Sequence, residues 1–378
     1  TRRIMGNLMP GPVAGLMGLP HRRLATLTTG QYLKTHIADE RLRAVLTSQW
    51  GDYGLPPGQS SFVAHATIFS HYLRGAWYPR GGAGTIAEGA RSVIEAAGGA
   101  CLVKHEVERI DVEDGRAVGV TVRTRTGTRQ FRAPVVVSGA GAPLTFDRLL
   151  PPGVSRPKGW VPGGGPAPTT VVNLYLGLKA SPTSIGMTAS NQWLYTSFDH
   201  DATAADRRAL AEGRPVHGFL SFGGDHDREA AKPTAQVIAV IDPALFDAWR
   251  DTRWKKRGED YLALKERITQ ALLDLVESRN PGFRDLVDYY ELSTPLSVEH
   301  FSAHPGGAIY GLPVTPERFI SGHLGTATPV KGLYLTGADS AILGIMGALM
   351  GGTMTAARIL GPMGMPTIMK SAGRQRAA

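Results

Sequence analysis

Cysteine is almost absent from this chain. Cys101 is the only one, so no internal disulfide can form. A reducing, cytoplasmic setting is the natural expectation. Because Cys101 opens an apolar run, it reads as buried and inert rather than nucleophilic. Charged residues are also few, at 19%, beside 42% hydrophobic residues, a balance that excludes a disordered chain. No stretch of about 20 clearly apolar residues occurs, which excludes an ordinary membrane-spanning helix. The uncharged stretch Ser340–Ala357 is diluted by Gly344, Gly347, Gly351 and Gly352. It reads as a helix packed within the protein or against a ligand. Metal-ligand spacing is missing: His65 and His71 do not share a helix face, and no Cys, Asp or Glu joins them. Helix-turn-helix, zinc-finger and stacking-platform patterns are missing too, which argues against a nucleic-acid partner despite a net charge of +9. An anionic membrane surface suits the scattered positive charge better. Thr1–Pro20, broken by Pro10 and Pro12, makes a poor leader peptide. There is no internal repeat, and no G-x-G-x-x-G dinucleotide motif.

What is present is glycine and proline, 47 and 26 residues spread along 378, implying many tight turns and close backbone approaches. Residues 1–75 read as mostly helical. Gln31–Trp50 is expected to turn Leu33, Ile37, Leu42, Val45 and Leu46 inward, and Ser60–Leu73 to form a second helix. Residues 76–150 read as an α/β segment. A glycine-hinged loop, Tyr78–Gly84, opens an amphipathic helix with Ile86, Ala90, Val93, Ile94 and Ala97 on its core face. Thr85 is the expected cap and Gly98-Gly99 the stop. Short strands follow at 101–104, 106–112, 118–124 and 129–132, with Asp114-Gly115 and Thr126-Gly127 as turns.

Pro134–Ser138 is a fully apolar strand ending in Gly139-Ala140-Gly141. That pattern suits a buried parallel strand with a ligand at its carboxyl end. Residues 151–328 read as a mixed sheet-plus-helix lobe, with strands near 169–178, 192–198, 216–222, 236–241 and 286–293. Its long helix, Glu259–Ser278, points Tyr261, Leu264, Ile268, Leu272, Leu275 and Val276 inward. Residues 329–378 return to α/β: strand Gly332–Thr336, then Gly337-Ala338-Asp339, then the uncharged helix. The two α/β pieces are each too small to close a sheet, so they are expected to form one domain interrupted by the lobe. Both strand tips end in small residues, which lets a ligand lie across them. Asp339 suits either a helix cap or a hydroxyl acceptor, and the glycines either close packing or ligand approach.

Taken as a set, YPRGGAGTIAEGARSVIEAAGG, HEVERI, VVVSGAG and GLYLTGADSAILGIMGALMGG resemble the flavoprotein superfamily of phytoene desaturases, carotenoid isomerases and retinol saturases. GDYGLPPGQSSFVAHATIFSHYLRGAWYPRGG and STPLSVEHFSAHPGGAIYGL are more specifically similar to its retinol saturase branch. The resemblance runs from about Leu33 to Leu360. It implies an α/β fold with a Rossmann-like FAD-binding domain, interrupted by a substrate lobe that forms an apolar tunnel for a polyene or prenoid. It implies FAD as cofactor and leaves NAD(P)H among the candidate electron donors. On it, Val107 would meet the adenine through its backbone. Gly139 and Ala140 would line the cofactor, as would Gly81 and Gly82 in the loop. Gly337 and Asp339 would hold the pyrophosphate–ribityl region, and Gly344 and Gly347 would face the flavin. The family opens with a βαβ dinucleotide unit; nothing before Leu33 resembles one, so the chain is expected to lack that segment.

The implied chemistry is flavin-dependent reduction of a carbon–carbon double bond. Desaturation or cis–trans isomerisation are the alternatives, and a non-catalytic apolar-ligand-binding protein is the alternative of another class. Reduction needs an acid, for which Tyr78, Tyr310, His65 and His304 are candidates. Tyr78 comes first because it adjoins the loop, and Arg80 could hold the flavin or a polar end group. Peripheral attachment to a membrane would suit so apolar a substrate.

Overall fold

The computed structural model describes residues 23–73, 75–188, 190–223, 232–320 and 325–376. Thr1–Pro20, and with it the leader reading, lies outside the described residues.

The largest core belongs to the lobe. Strands β5 (Val171–Leu178), β6 (Gln192–Tyr195), β7 (His217–Ser221), β8 (Thr234–Val240) and β9 (Val287–Ser293) form a five-stranded sheet in the order β6-β7-β8-β5-β9. All of its pairings are antiparallel. Side chains alternate across it with the strand period of two. Val172, Leu174, Leu176, Leu220, Val237 and Ala239 point to one face and are buried. The long helix predicted there is present at Glu259–Arg279 and covers that face with Ile268, Leu272, Leu275 and Val276, all buried. The other face carries Val171, Asn173, Tyr175, Phe219, Ile238 and Val240, which line a cavity. One alternating pattern thus builds a core on one side and a chamber on the other.

Two further sheets carry the α/β segments. β1 (Glu106–Glu113), β2 (Arg116–Thr124) and β3 (Gly127–Arg132) form an antiparallel sheet. The first hairpin turns at Asp114 and Gly115, both at positive φ (48° and 71°), as a two-residue turn of this kind requires. β4 (Val136–Ser138) pairs in parallel with β10 (Leu333–Leu335), Val136 opposite Leu333 and Ser138 opposite Leu335. The two α/β pieces, about 195 residues apart, are therefore adjoining strands of one sheet.

Several expectations need correction. The helix over Gln31–Trp50 is two helices, α1 (Thr29–His36) and α2 (Glu40–Thr47). Asp39 interrupts it, its carboxylate accepting from Leu42 N at 3.0 Å and restarting the helix in a new phase. Leu33 stays buried, but Leu42 and Val45 turn outward. After α3 (Phe62–Tyr72) comes α4 (Gly84–Ala96), the amphipathic helix of the glycine-hinged loop. Its stop is as expected: Gly98 has φ +79°, and Gly99 N donates to Ile94 O. Its start is not, because the Thr85 hydroxyl donates to the Gly82 carbonyl and leaves the helix without a side-chain cap. Nor is its apolar stripe core: no residue of α4 is buried, and Val93 is 68% exposed. Periodicity records a face able to be buried, and no described element packs on this one. For the same reason 101–104 is not a strand, and Cys101 is exposed. The uncharged helix, Gly344–Ile359, packs through Gly347, Gly351, Met354 and Thr355 but exposes Ile345, Met346, Leu349 and Met350.

Candidate functional site

The two α/β strand tips meet at Asp339. Its carboxylate is buried and accepts from Ala142 N at 2.7 Å and from Leu312 N at 2.8 Å, one oxygen to each. It thereby ties the loop after β4 to the segment Ala308–Leu312. Arg318, which sequence reasoning missed, adds to the tie. Its buried guanidinium donates to the carbonyls of Leu312 and Ala338. Burial pushes Arg318 down to about 10, opposed by the nearby Asp339 charge. Beside this staple lies a hollow of about 230 Å³ walled by small residues, among them Ala140, Gly141, Gly163, Gly165 and Gly311, with His304 and Asp339.

Of the predicted cofactor residues, Ala140 and Asp339 line this hollow, and Gly139 adjoins it in sequence. Gly337 has φ +81° and Gly344 φ +83°, and a Cβ at either would meet open space. The helix that Gly344 begins has no side-chain cap, so its first N–H groups are free to face a ligand oxygen. Gly347 differs: a Cβ there would lie 1.7 Å from the Ile342 carbonyl oxygen, so it serves close packing at the helix start. Small walls, open glycines and an uncapped helix end suit a flavin dinucleotide. Val107 lies 38% exposed on β1. Tyr78, Arg80, Gly81 and Gly82 lie on the loop before α4. Tyr78 is half exposed, and the glycines have φ +82° and +84°. These loop residues line neither this hollow nor the lobe's chamber.

The lobe's chamber has a volume of about 270 Å³, and its lining is mainly apolar and aromatic. Tyr310 is in its wall, its hydroxyl donating to Gly51 O at 3.0 Å; burial pushes its pKa well up. Trp50, Gly51 and Asp52, one helical turn, supply another part of the wall. Asp52 ends that turn. It is a carboxyl facing an apolar space, held by the Tyr72 hydroxyl at 2.8 Å, and burial raises its pKa above the ordinary carboxylate value. A Gly-Asp-Tyr-Gly run signals a turn before it signals an acid, which is why sequence alone passed it over. His65 is buried against the Tyr53 hydroxyl at 3.0 Å, and burial lowers its pKa.

The hollow and the chamber share a partition. Ala308, Gly311 and Leu312 face the hollow, while Ile309 and Tyr310 face the chamber. Ile309 N donates to Thr169 O at 3.1 Å, anchoring the partition to the start of β5. The Trp50 turn also packs in one cluster with Ile342 and Leu343, the residues just before Gly344.

No family model matches the chain. It is 32% identical over 92% of its length to all-trans-retinol 13,14-reductase of Danio rerio, covering 61% of that protein. It is 30% identical over 94% of its length to the human protein of the same name, covering 62% of it. The chain thus spans about three-fifths of the length of these relatives. It is also 25% identical, over 80% of its length, to prolycopene isomerase 1 of an Oncidium hybrid cultivar, covering 49% of that protein. Among solved structures, an oxidoreductase from Methanosarcina mazei superposes with a TM-score of 0.57 at 17% identity, over 91% of this chain and 68% of that one. The chain therefore shares the α/β fold of that structure, with a sheet-and-helix lobe set into it. In sequence the chain is thus similar, over nearly all of its length, to retinol 13,14-reductases and more distantly to a prolycopene isomerase.

Proposed function

We propose that the chain serves FAD-dependent reduction of a carbon–carbon double bond in a retinoid or related prenoid. The observation that carries this reading is the shared partition, which sets an apolar chamber directly behind a small-residue hollow suited to one section of a dinucleotide. When bound, FAD supplies a hydride equivalent. Ala140, Asp339 and the uncapped helix end at Gly344 would hold it, and Tyr78, Arg80, Gly81, Gly82, Val107, Gly139 and Gly337 remain assigned to its side on the resemblance. The protein's own task is to orient the polyene, exclude water and deliver a proton. Val171, Phe219, Ile238 and Tyr310 shape the apolar walls. Asp52 is the proposed proton donor: burial favours its acid form, and the Tyr72 hydroxyl orients it. Tyr310, with its proton engaged on Gly51 O, fits a positioning role better.

Peripheral membrane association is part of the proposal. Tyr175, Ser293 and Val298 line both the chamber and a wide surface hollow of about 800 Å³. Trp254, Lys255, Arg257, Leu262 and Phe301 line that outer hollow. Aromatic and cationic groups together suit an anionic bilayer surface, from which a polyene enters without crossing water. Among the described residues no helix is long and apolar enough to cross a membrane.

The test is incubation of the chain with FAD, dithionite and all-trans-retinol, with products resolved by mass. Gain of two hydrogens supports reduction. An isomerised product of unchanged mass selects the isomerase reading, which the prolycopene isomerase relative favours. Bound but unchanged retinoid selects the non-catalytic one. Replacing dithionite with NADH or NADPH tests the proposed donor.

A further inference from the structure

The inner end of the chamber holds two buried N–H groups without an acceptor. Trp50 is 1% exposed and its Nε1 has no hydrogen-bond partner among the described residues. His217 is 6% exposed and its Nδ1 has none either. The tautomer of His217 follows from its other nitrogen: Val240 N donates to Nε2 at 3.0 Å, so Nε2 is the acceptor and the proton sits on Nδ1. Burial holds this imidazole near 4, so it is neutral at pH 7. The two rings are neighbours, with centroids 5.5 Å apart, and both line the chamber. An unpaired buried donor is costly, and two together in the wall of one cavity call for an acceptor.

Sheet register shows where they sit. Phe219, Ile238 and Asn173 lie in one row across β7, β8 and β5. Tyr175, which lines the outer hollow, lies two residues along β5 on the mouth side. His217 lies two residues along β7 in the opposite direction. From the Tyr175 row to the His217 row is therefore roughly 13 Å of strand. An elongated molecule entering at Tyr175 brings its leading end to Trp50 and His217.

Resting on the proposed retinoid reading, we infer that Trp50 Nε1–H and His217 Nδ1–H form a binding site for an uncharged oxygen, alcohol or carbonyl, at the leading end of the substrate. Among the described residues no Lys or Arg lines the chamber, and the Asp52 carboxyl does. A carboxylate end group would therefore meet neutral donors and an acidic neighbour, with no counter-charge in a water-poor space. An uncharged oxygen satisfies the donors at no such cost. The site also orders the substrate: in retinol the carbinol adjoins the terminal double bond, so an oxygen seated beside Trp50 brings that bond to the same turn as Asp52.

The test is equilibrium binding to the full chain, read by retinoid fluorescence. The probes are all-trans-retinol, its deoxy hydrocarbon analogue and all-trans-retinoic acid, with Trp50→Phe and His217→Gln as variants. In the wild type, retinol is expected to bind about tenfold more tightly than either other probe. Trp50→Phe, which keeps an aromatic ring and loses the N–H, reduces that preference while leaving the hydrocarbon's affinity unchanged. His217→Gln, which keeps an acceptor for Val240 N, does the same and guards against a misfolded first variant. Equal affinity for retinol and the hydrocarbon in the wild type overturns the oxygen site and leaves the apolar chamber standing. Equal weakening of both by either folded variant also overturns it. Failure of all three probes to bind overturns the chamber reading and the oxygen site with it.

Discussion

Replacing Asp339 by Asn removes a charge and half of an acceptor pair without changing shape. In the wild type each carboxylate oxygen takes one buried backbone N–H, from Ala142 and from Leu312. The amide keeps one oxygen and turns its NH₂ toward the other N–H. One charge-assisted hydrogen bond is lost, about 1.5–3 kcal/mol, and one buried N–H then faces a donor, about 1–3 kcal/mol more. Arg318 also loses the charge that opposes its desolvation. The expected destabilisation is about 2.5–6 kcal/mol in sum, in protein without cofactor. Urea unfolding of the flavin-free protein measures it. Gly311→Ala should mimic the defect from the other side, since its Cβ would stand 2.4 Å from Asp339 Oδ1 at a backbone φ of +73°. If Asp339→Asn unfolds within about 0.5 kcal/mol of wild type, the staple is refuted, whatever becomes of flavin retention.

Asp52→Asn is expected to lower the reduction rate about 10²–10⁴-fold with retinoid binding retained. The wild-type rate should fall as pH rises through the raised Asp52 pKa, and a stopped-flow pH profile of the variant should lack that limb. His217 predicts a pH dependence of stability. Its folded pKa is about 4 against 6.5 ordinarily, so the unfolded chain binds the proton more readily. Stability is therefore full above pH 6.5 and declines by about 3 kcal/mol as pH falls to 4; melting curves of the wild type and His217→Gln across that window should converge at low pH. Gly347→Ala places a methyl against the Ile342 carbonyl and should cost about 1–3 kcal/mol even without flavin. An unchanged melting temperature with lost flavin would instead assign Gly347 to the cofactor.

The lobe was legible because its signals are strong and mutually consistent. The stripe from Tyr261 to Val276 and the alternation in β5 and β8 both require one buried face. Two apolar strands ending in small residues, in pieces too small to close separate sheets, pointed to one shared domain, but the direct pairing of β4 with β10 was not legible. What failed was burial of α4 and of Cys101, because a pattern states how a face is composed and not what meets it. The break at Asp39 was hidden by apolar residues that continue a helical period across it. The chamber's chemistry was hidden for a different reason. Asp52 sits in a turn, and Trp50 and His217 become neighbours only when β7 is folded against that turn.

The partition Ala308–Leu312 is a single strand of chain with a compartment on each side. It is moored by Asp339 and Arg318 at one end and by Thr169 at the other. Whatever leans on it from the hollow is felt in the chamber through the same peptide groups. Thermodynamic reciprocity then fixes the form of any such effect: a flavin that tightens the grip on a polyene by some factor is itself gripped more tightly by that factor when the polyene is present. Order of addition should leave the final occupancy of both unchanged, and a mutation at the mooring should loosen the two ligands together.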